Sequence, residues 1–220
     1  MQREETRCCA NAFDSCRSSS QHALMNTALA IALGLGLAAA SGLRVFVPLL
    51  ALSVAASAGY VELAPGWAWL SSWAAVSVFA TATVLEVAAY AVPWLDHALD
   101  VVATPAALVA GMMASASVMV DLPPLVKWSI VIIGGGGVAG LAQGASVLAR
   151  VKSGLFTGGL ANPIVSFVEL VGAIALSALS ILLPIVALLA VALLLLVVFV
   201  RAGRARFGRR RSSDAASLRI

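Results

Sequence analysis

Three ionisable residues, Arg44, Glu86 and Glu169, stand inside long apolar stretches of this chain. A charge in a bilayer costs ~2.5–3.5 kcal/mol on insertion scales, so each needs a reason to be there. A carboxylate in such a setting can hold a cation or a proton, and an arginine can serve as its counter-charge. Glu169 has the clearest surroundings. Asn162, Ser166, Glu169, Ala173, Ser177 and Ser180 follow at spacings of three and four, which puts them on one helical face. Ile164, Val165, Phe167, Val168 and Leu170 point elsewhere. A polar helix–helix seam is the plainer account of the serines. Packing gives no reason for the carboxylate, so Glu169 is the first candidate for binding an ion or solute, with Asn162 and Ser166 beside it.

Glu86 shares a looser stripe with Ser72, Thr83 and Tyr90, and Arg44 could neutralise either glutamate. A purely structural ion pair is the rival reading for these charges. In PWLDHALD, Asp96 and Asp100 are four apart with His97 between them. They are secondary candidates with Tyr90, and solvated interfacial acids are the bland account of the pair. GGGG at 134–137 lacks the Lys-Ser/Thr of a phosphate loop, and the chain holds no HExxH and no GxSxG. No catalytic set, no metal site and no cofactor are expected. Cys8, Cys9 and Cys16 match no zinc spacing, with His22 alone nearby.

The elements that must position these groups follow from composition. Of 220 residues, 61% are hydrophobic and 11% charged, and mean hydropathy is +1.01. A soluble domain carries roughly a quarter charged residues, so a soluble fold, a disordered chain and a nucleic-acid module are all poor fits. The basicity, pI 9.4, is mostly a tail, since seven of the fourteen Lys and Arg lie at or after Arg201. The fold class expected is all-α, a polytopic transmembrane helix bundle whose partner is the lipid bilayer.

Three regions result. Residues 1–24 form a polar extension, with translation starting at Met25 as one reading and a disordered cytosolic arm as the other. Residues 25–200 are the transmembrane domain, and 201–220 a basic cytosolic tail. About six spans fit the middle region, near 27–59, 66–93, 101–120, 128–149, 160–181 and 183–200. Trp67, Trp69, Trp73, Trp94 and Trp128 lie at or near their ends, where indole prefers the interface. The Lys and Arg asymmetry places the tail and the Arg150/Lys152 loop in the cytosol, and six spans would put both termini there. The first span is too long for one crossing and carries Gly42, Arg44 and Pro48 in seven residues. A break between Ser41 and Pro48 is expected, either a broken helix or a re-entrant pair of half-helices. A true hairpin would change the parity and move the N-terminus outside. Small-residue rows at Gly34, Ala38, Gly42 and at Gly136, Gly140, Gly144 echo each other, which would suit a 3+3 inverted repeat. Helix packing alone also produces such rows.

SGLRVFVPLLAL at 41–52, LEVAAYAVPWLDHALD at 85–100 and TGGLANPIVSFVEL at 157–170 resemble the bacterial domain of unknown function 4126 family. The resemblance runs from about Met25 to Val200. In the second motif the family has an Asp-Lys pair four and five residues after the glutamate, where this chain has Tyr90 and Ala91. The resemblance implies an integral protein of the bacterial cytoplasmic (inner) membrane and no settled activity.

The function expected is therefore a small secondary transporter or channel for a small ion or polar solute, with Glu169, Glu86, Arg44, Asn162 and Ser166 at its site. A homodimer could enclose the path. A non-transporting scaffold or assembly factor is the alternative, and an intramembrane enzyme acting on lipid ranks third.

Overall fold

A computed structural model describes residues 25–89, 93–120, 122–157, 162–197 and 200. The extension 1–24 and the tail 201–220 lie outside the described residues, as does Tyr90. The described residues are helical, with no strand among them. In chain order the helices are α1 (Met25–Ser41), α2 (Phe46–Ser57), α3 (Trp73–Ala89) and α4 (Pro93–Val118). Then come α5 (Pro124–Ser129), a π-helical turn (Ile130–Gly136) and α6 (Gly137–Thr157). They are followed by α7 (Asn162–Leu182) and α8 (Pro184–Val197). Pro124–Gly154 and Ile164–Leu182 are long and apolar enough to cross a membrane; the apolar stretches of the other helices, Val102–Val118 of α4 among them, are shorter.

The break expected in the first span is present, and it is a reversal. A cavity of about 370 Å³ is lined together by Asn26 and Thr27 from the start of α1, Tyr60 and Glu62 from beyond α2, Val120 and Leu122 from beyond α4, and Ile181 and Pro184 from the α7–α8 turn. Both ends of the α1–α2 pair therefore lie at one end of the bundle, here the Tyr60 end. The chain enters on α1, turns at 42–45 and returns on α2. α2 has 12 residues, or ~18 Å of helix, short of a ~30 Å hydrocarbon core. Pro48 does not break a continuing helix. It sits in the first turn of α2, where a missing N–H leaves nothing unsatisfied.

The reversal corrects the expected parity. Leu194 and Leu195 of α8 meet Ala149 of α6 and Ile164 of α7 at the opposite, Lys152 end. Met25 and Val197 thus lie at opposite ends of the bundle, not on the same side. The inverted repeat fails for a related reason. A methyl group built on Gly134 would meet Leu35, and one on Gly42 would meet Ala142 and Gln143. α1 and α6 therefore run side by side in the same direction, whereas helices related by an inverted repeat must run oppositely. Gly34, Gly42, Gly136 and Gly140 mark close packing instead. Gly111 and Gly135 let α4 and the π turn approach each other beside Ala38, and Ser115 Oγ donates to Gly34 O at 3.1 Å.

α2 ends in a Schellman motif. Gly59 has φ +79°, and the N–H groups of Gly59 and Tyr60 bond to Ala56 O and Ala55 O. Beyond it, Ser53 Oγ donates to Leu70 O at 2.5 Å and Ala64 N to Ser117 O at 2.7 Å, which pins the Tyr60-end loop over α4. Trp67 and Trp69 stack there, with ring centroids 6.5 Å apart. Leu37, Leu52, Leu70 and Val131 belong to an apolar core that also takes in polar side chains. Ser41, Ser53, Ser115, Ser117, Ser177 and Ser180 are buried, while Ile133, Val168, Leu182 and Leu189 are exposed.

Candidate functional site

The tip of the α1–α2 hairpin sets a backbone problem. A helix start leaves N–H groups without intrahelical partners, and inside a packed apolar bundle water cannot supply them. At the tip, Gly42, Leu43 and Arg44 return their N–H groups to the carbonyls of Ala38, Ala39 and Ala40 at the end of α1. The next donors belong to α2, and Val45 at its N-cap has no side-chain oxygen to offer. Glu86 of α3 supplies it. Its Oε1 accepts from Val45 N at 2.9 Å and its Oε2 from Phe46 N at 3.2 Å. A carboxylate at this position also faces the positive end of the α2 dipole.

Glu169 meets a different partner set. Arg150 of α6 donates from Nε to Glu169 Oε1 at 3.2 Å, and its Nη2 pairs with Oε2. Ser146, one turn back on α6, donates to Oε1. Arg44 donates from Nη2 to the carbonyl of Ser166 on α7 at 2.8 Å, tying the hairpin tip to that helix. Arg44 directly precedes Val45, whose N–H donates to Glu86, so the hairpin tip joins the surroundings of both carboxylates. The outcome is a buried cluster of four charges, Arg44 at 2% exposure, Arg150 at 5%, Glu169 at 6% and Glu86 at 8%. Two guanidiniums balance two carboxylates.

The structure brings Arg44, Glu86, Glu169 and Ser166 into one neighbourhood, whereas spacing places only Ser166 and Glu169 on one face, and Glu169 pairs with Arg150. Asn162 begins α7, and Asp96 and Asp100 lie on α4, but their side chains are outside the described residues. Ser177 and Ser180 are buried, and Ser180 packs on Gly36 of α1. Sequence reasoning missed Arg150 and Ser146, assigning the arginine to a cytosolic loop. The signal was available: Gln143, Ser146 and Arg150 recur at spacings of three and four on α6, and all three are buried. Among the described residues no group of three or more His, Cys, Asp and Glu could hold a metal ion.

A cavity of about 390 Å³ reaches the cluster between α6, α7 and α8. Leu43 of the hairpin tip, Ser146 and Glu169 form its inner wall, and Ala142, Ala145 and Ala149 give it room. Its outer rim includes Ile164, Val168 and Leu194, all exposed apolar side chains.

A capped hairpin enclosed by longer helices, with a buried charge cluster at its tip, defines the class: an all-helical bundle built around a helical hairpin. Residues 31–204 match the model of the family described as Domain of unknown function (DUF4126), and the chain belongs to that family. No curated protein and no solved structure matches it.

Proposed function

We propose that the chain is a multi-pass protein of the bacterial cytoplasmic membrane that acts as a small secondary transporter or channel for a small ion or polar solute. The membrane reading is supported by the exposed aliphatic belt on α6, α7 and α8, a surface that a soluble protein would not leave open to water. In this reading α3, α4, α5–α6, α7 and α8 cross the bilayer and α1–α2 is re-entrant, five crossings and a hairpin in place of six spans. The positive-inside rule puts the Lys152 end and the basic tail in the cytosol. The start of α1 is then on the outer side.

One observation carries the transport reading: the hairpin tip is a non-helical turn at membrane depth, surrounded by Arg44, Glu86, Arg150 and Glu169. Irregular backbone is tolerated within a membrane where it is buried in protein or lines a path, and interrupted helices mark substrate sites in transporters. Purified protein in liposomes, screened for ion flux, tests it. Flux in wild type that is lost in a folded Glu169→Gln variant supports the reading, and absence of any ion flux overturns it.

The scaffold reading has an observation of its own. Each glutamate has protein partners, Glu169 through Arg150 and Ser146, Glu86 through two backbone amides. Those bonds lock α2, α3, α6 and α7 together, which is what a rigid assembly platform needs. The flux screen separates the two.

A further inference from the structure

The Tyr60 end of the bundle carries a cavity that shares no lining residue with the charge cluster. Four segments converge on it: the start of α1, the loop after α2, the end of α4 and the α7–α8 turn. Its volume of about 370 Å³ is at the small end of the roughly 300–1,000 Å³ usual for ligand sites. Two kinds of wall meet there. Leu29 and Leu33 of α1, Val118 and Met119 at the end of α4 and Ile181 of α7 supply an aliphatic lining. Asn26, Thr27, Tyr60 and Glu62 supply the polar side chains, and Glu62 is the one charged group among the lining residues.

The backbone around this cavity is held in place by hydrogen bonds from several directions. The segment that carries Tyr60 and Glu62 is fixed on both sides, by Tyr60 N–H to Ala55 O at 2.9 Å and by Ala64 N–H to Ser117 O at 2.7 Å. Ser117 leads directly into Val118 and Met119, and Lys127 Nζ donates to Met119 O at 2.7 Å. A ligand therefore meets walls that need little ordering on binding, which favours affinity. The rim is reachable, since Tyr60 is 82% exposed and Glu62 is exposed as well. Val118 and Met119 are buried and form the dry side.

The electrostatics select the sign of a ligand. The Lys127 ammonium is directed at the Met119 carbonyl. Among the described residues Glu62 has no hydrogen-bond or ion-pair partner. A carboxylate open to a cation, an aromatic ring on the same rim and an aliphatic wall together suit an organic ammonium: an ion pair, a cation–π contact and burial of a tail. An anion would be repelled by Glu62, and a bare metal ion would make no use of the aliphatic wall.

We propose that this cavity is a binding site for a small organic cation, a primary or quaternary ammonium on a short alkyl tail, with Glu62 and Tyr60 at the charge and the α1 and α4 side chains around the tail. The site is separate from the charge cluster and does not depend on the transport reading; an absence of ion flux leaves it standing.

The test is titration calorimetry of the full chain in nonionic maltoside micelles, with empty micelles subtracted. Hexylammonium, hexanol and hexanoate are the probes, one tail with three charges. Hexylammonium should bind saturably and about fivefold more tightly than hexanol, the upper end of what an exposed ion pair contributes, and hexanoate should bind most weakly. The net charge of the chain, +4, would by itself favour hexanoate, so the expected order reports the local site. Glu62→Gln should bring hexylammonium down to the affinity of hexanol and leave hexanol unchanged. Hexylammonium that keeps its advantage in Glu62→Gln overturns the proposal. So does equal binding of the three probes by wild type, or no saturable binding above empty micelles. Melting curves check that Glu62→Gln is folded; if it is not, the order of the three probes on wild type decides, and hexanol or hexanoate binding as tightly as hexylammonium overturns the proposal.

Discussion

Arg150 of α6 and Glu169 of α7 form an ion pair whose side chains are 5% and 7% exposed. Ser146 adds a hydrogen bond to the same carboxylate. A buried pair of this kind contributes little over an apolar pair of equal volume, yet breaking it is costly because the remaining charge is stranded. It therefore fixes how α6 meets α7 more than it stabilises the whole.

The first prediction tests that pair. Glu169→Gln should destabilise the protein by ~3–5 kcal/mol, because Arg150 stays buried without its counter-charge. Combining it with Arg150→Met should recover most of that loss. Equilibrium unfolding in detergent micelles measures both. A double mutant no more stable than the single one would mean that the pair is not coupled.

Removing the cap on α2 should loosen the hairpin tip locally. Glu86→Ala leaves the Val45 and Phe46 amides buried without an acceptor, at about 1–3 kcal/mol for each donor. Hydrogen exchange read at these two amides should accelerate strongly, while the Schellman end of α2 at Gly59 and Tyr60 keeps its protection. Unchanged exchange at the tip would remove Glu86 from this role.

The hairpin itself makes a labelling prediction. In cells, single cysteines at Asn26 and at Glu62 should react with the same membrane-impermeant reagent from the same side, and a cysteine at Lys152 should not. Asn26 and Glu62 share one cavity, whereas Lys152 is exposed near the opposite end of α6. Labelling of Glu62→Cys and Lys152→Cys from one side would contradict the arrangement.

Gly42 tests the close approach of α1 to α6. A Cβ there would collide with the carbonyl of Ala139 and come within 2.8 Å of the Gln143 amide, both backbone atoms that cannot yield. Gly42→Ala should cost about 1–3 kcal/mol by overpacking. Gly144→Ala on α6 meets nothing within 4 Å and should be neutral or slightly stabilising by helix propensity. Thermal unfolding of the two variants side by side gives the contrast.

Much of this protein follows from local properties of the chain. The excess of apolar residues, the helical spacing of Ser166 and Glu169, and the Gly42–Pro48 interruption are one-dimensional patterns, and helices, a shared face and a break follow from 3.6-residue periodicity and backbone sterics. What the chain does after the break is not local. Whether α2 continues across or turns back depends on where α3, α4 and α7 leave room, and on whether some distant group can satisfy the amides of Val45 and Phe46. Glu86 does so from forty residues away in sequence. The same holds for Glu169. Its inward direction is legible from spacing, but its partner is a residue that composition alone assigns to a loop, and only the packing of α6 on α7 brings Arg150 within reach. A buried charge announces that it needs a partner; which one it receives is decided by tertiary contacts, since every candidate satisfies the same electrostatic demand.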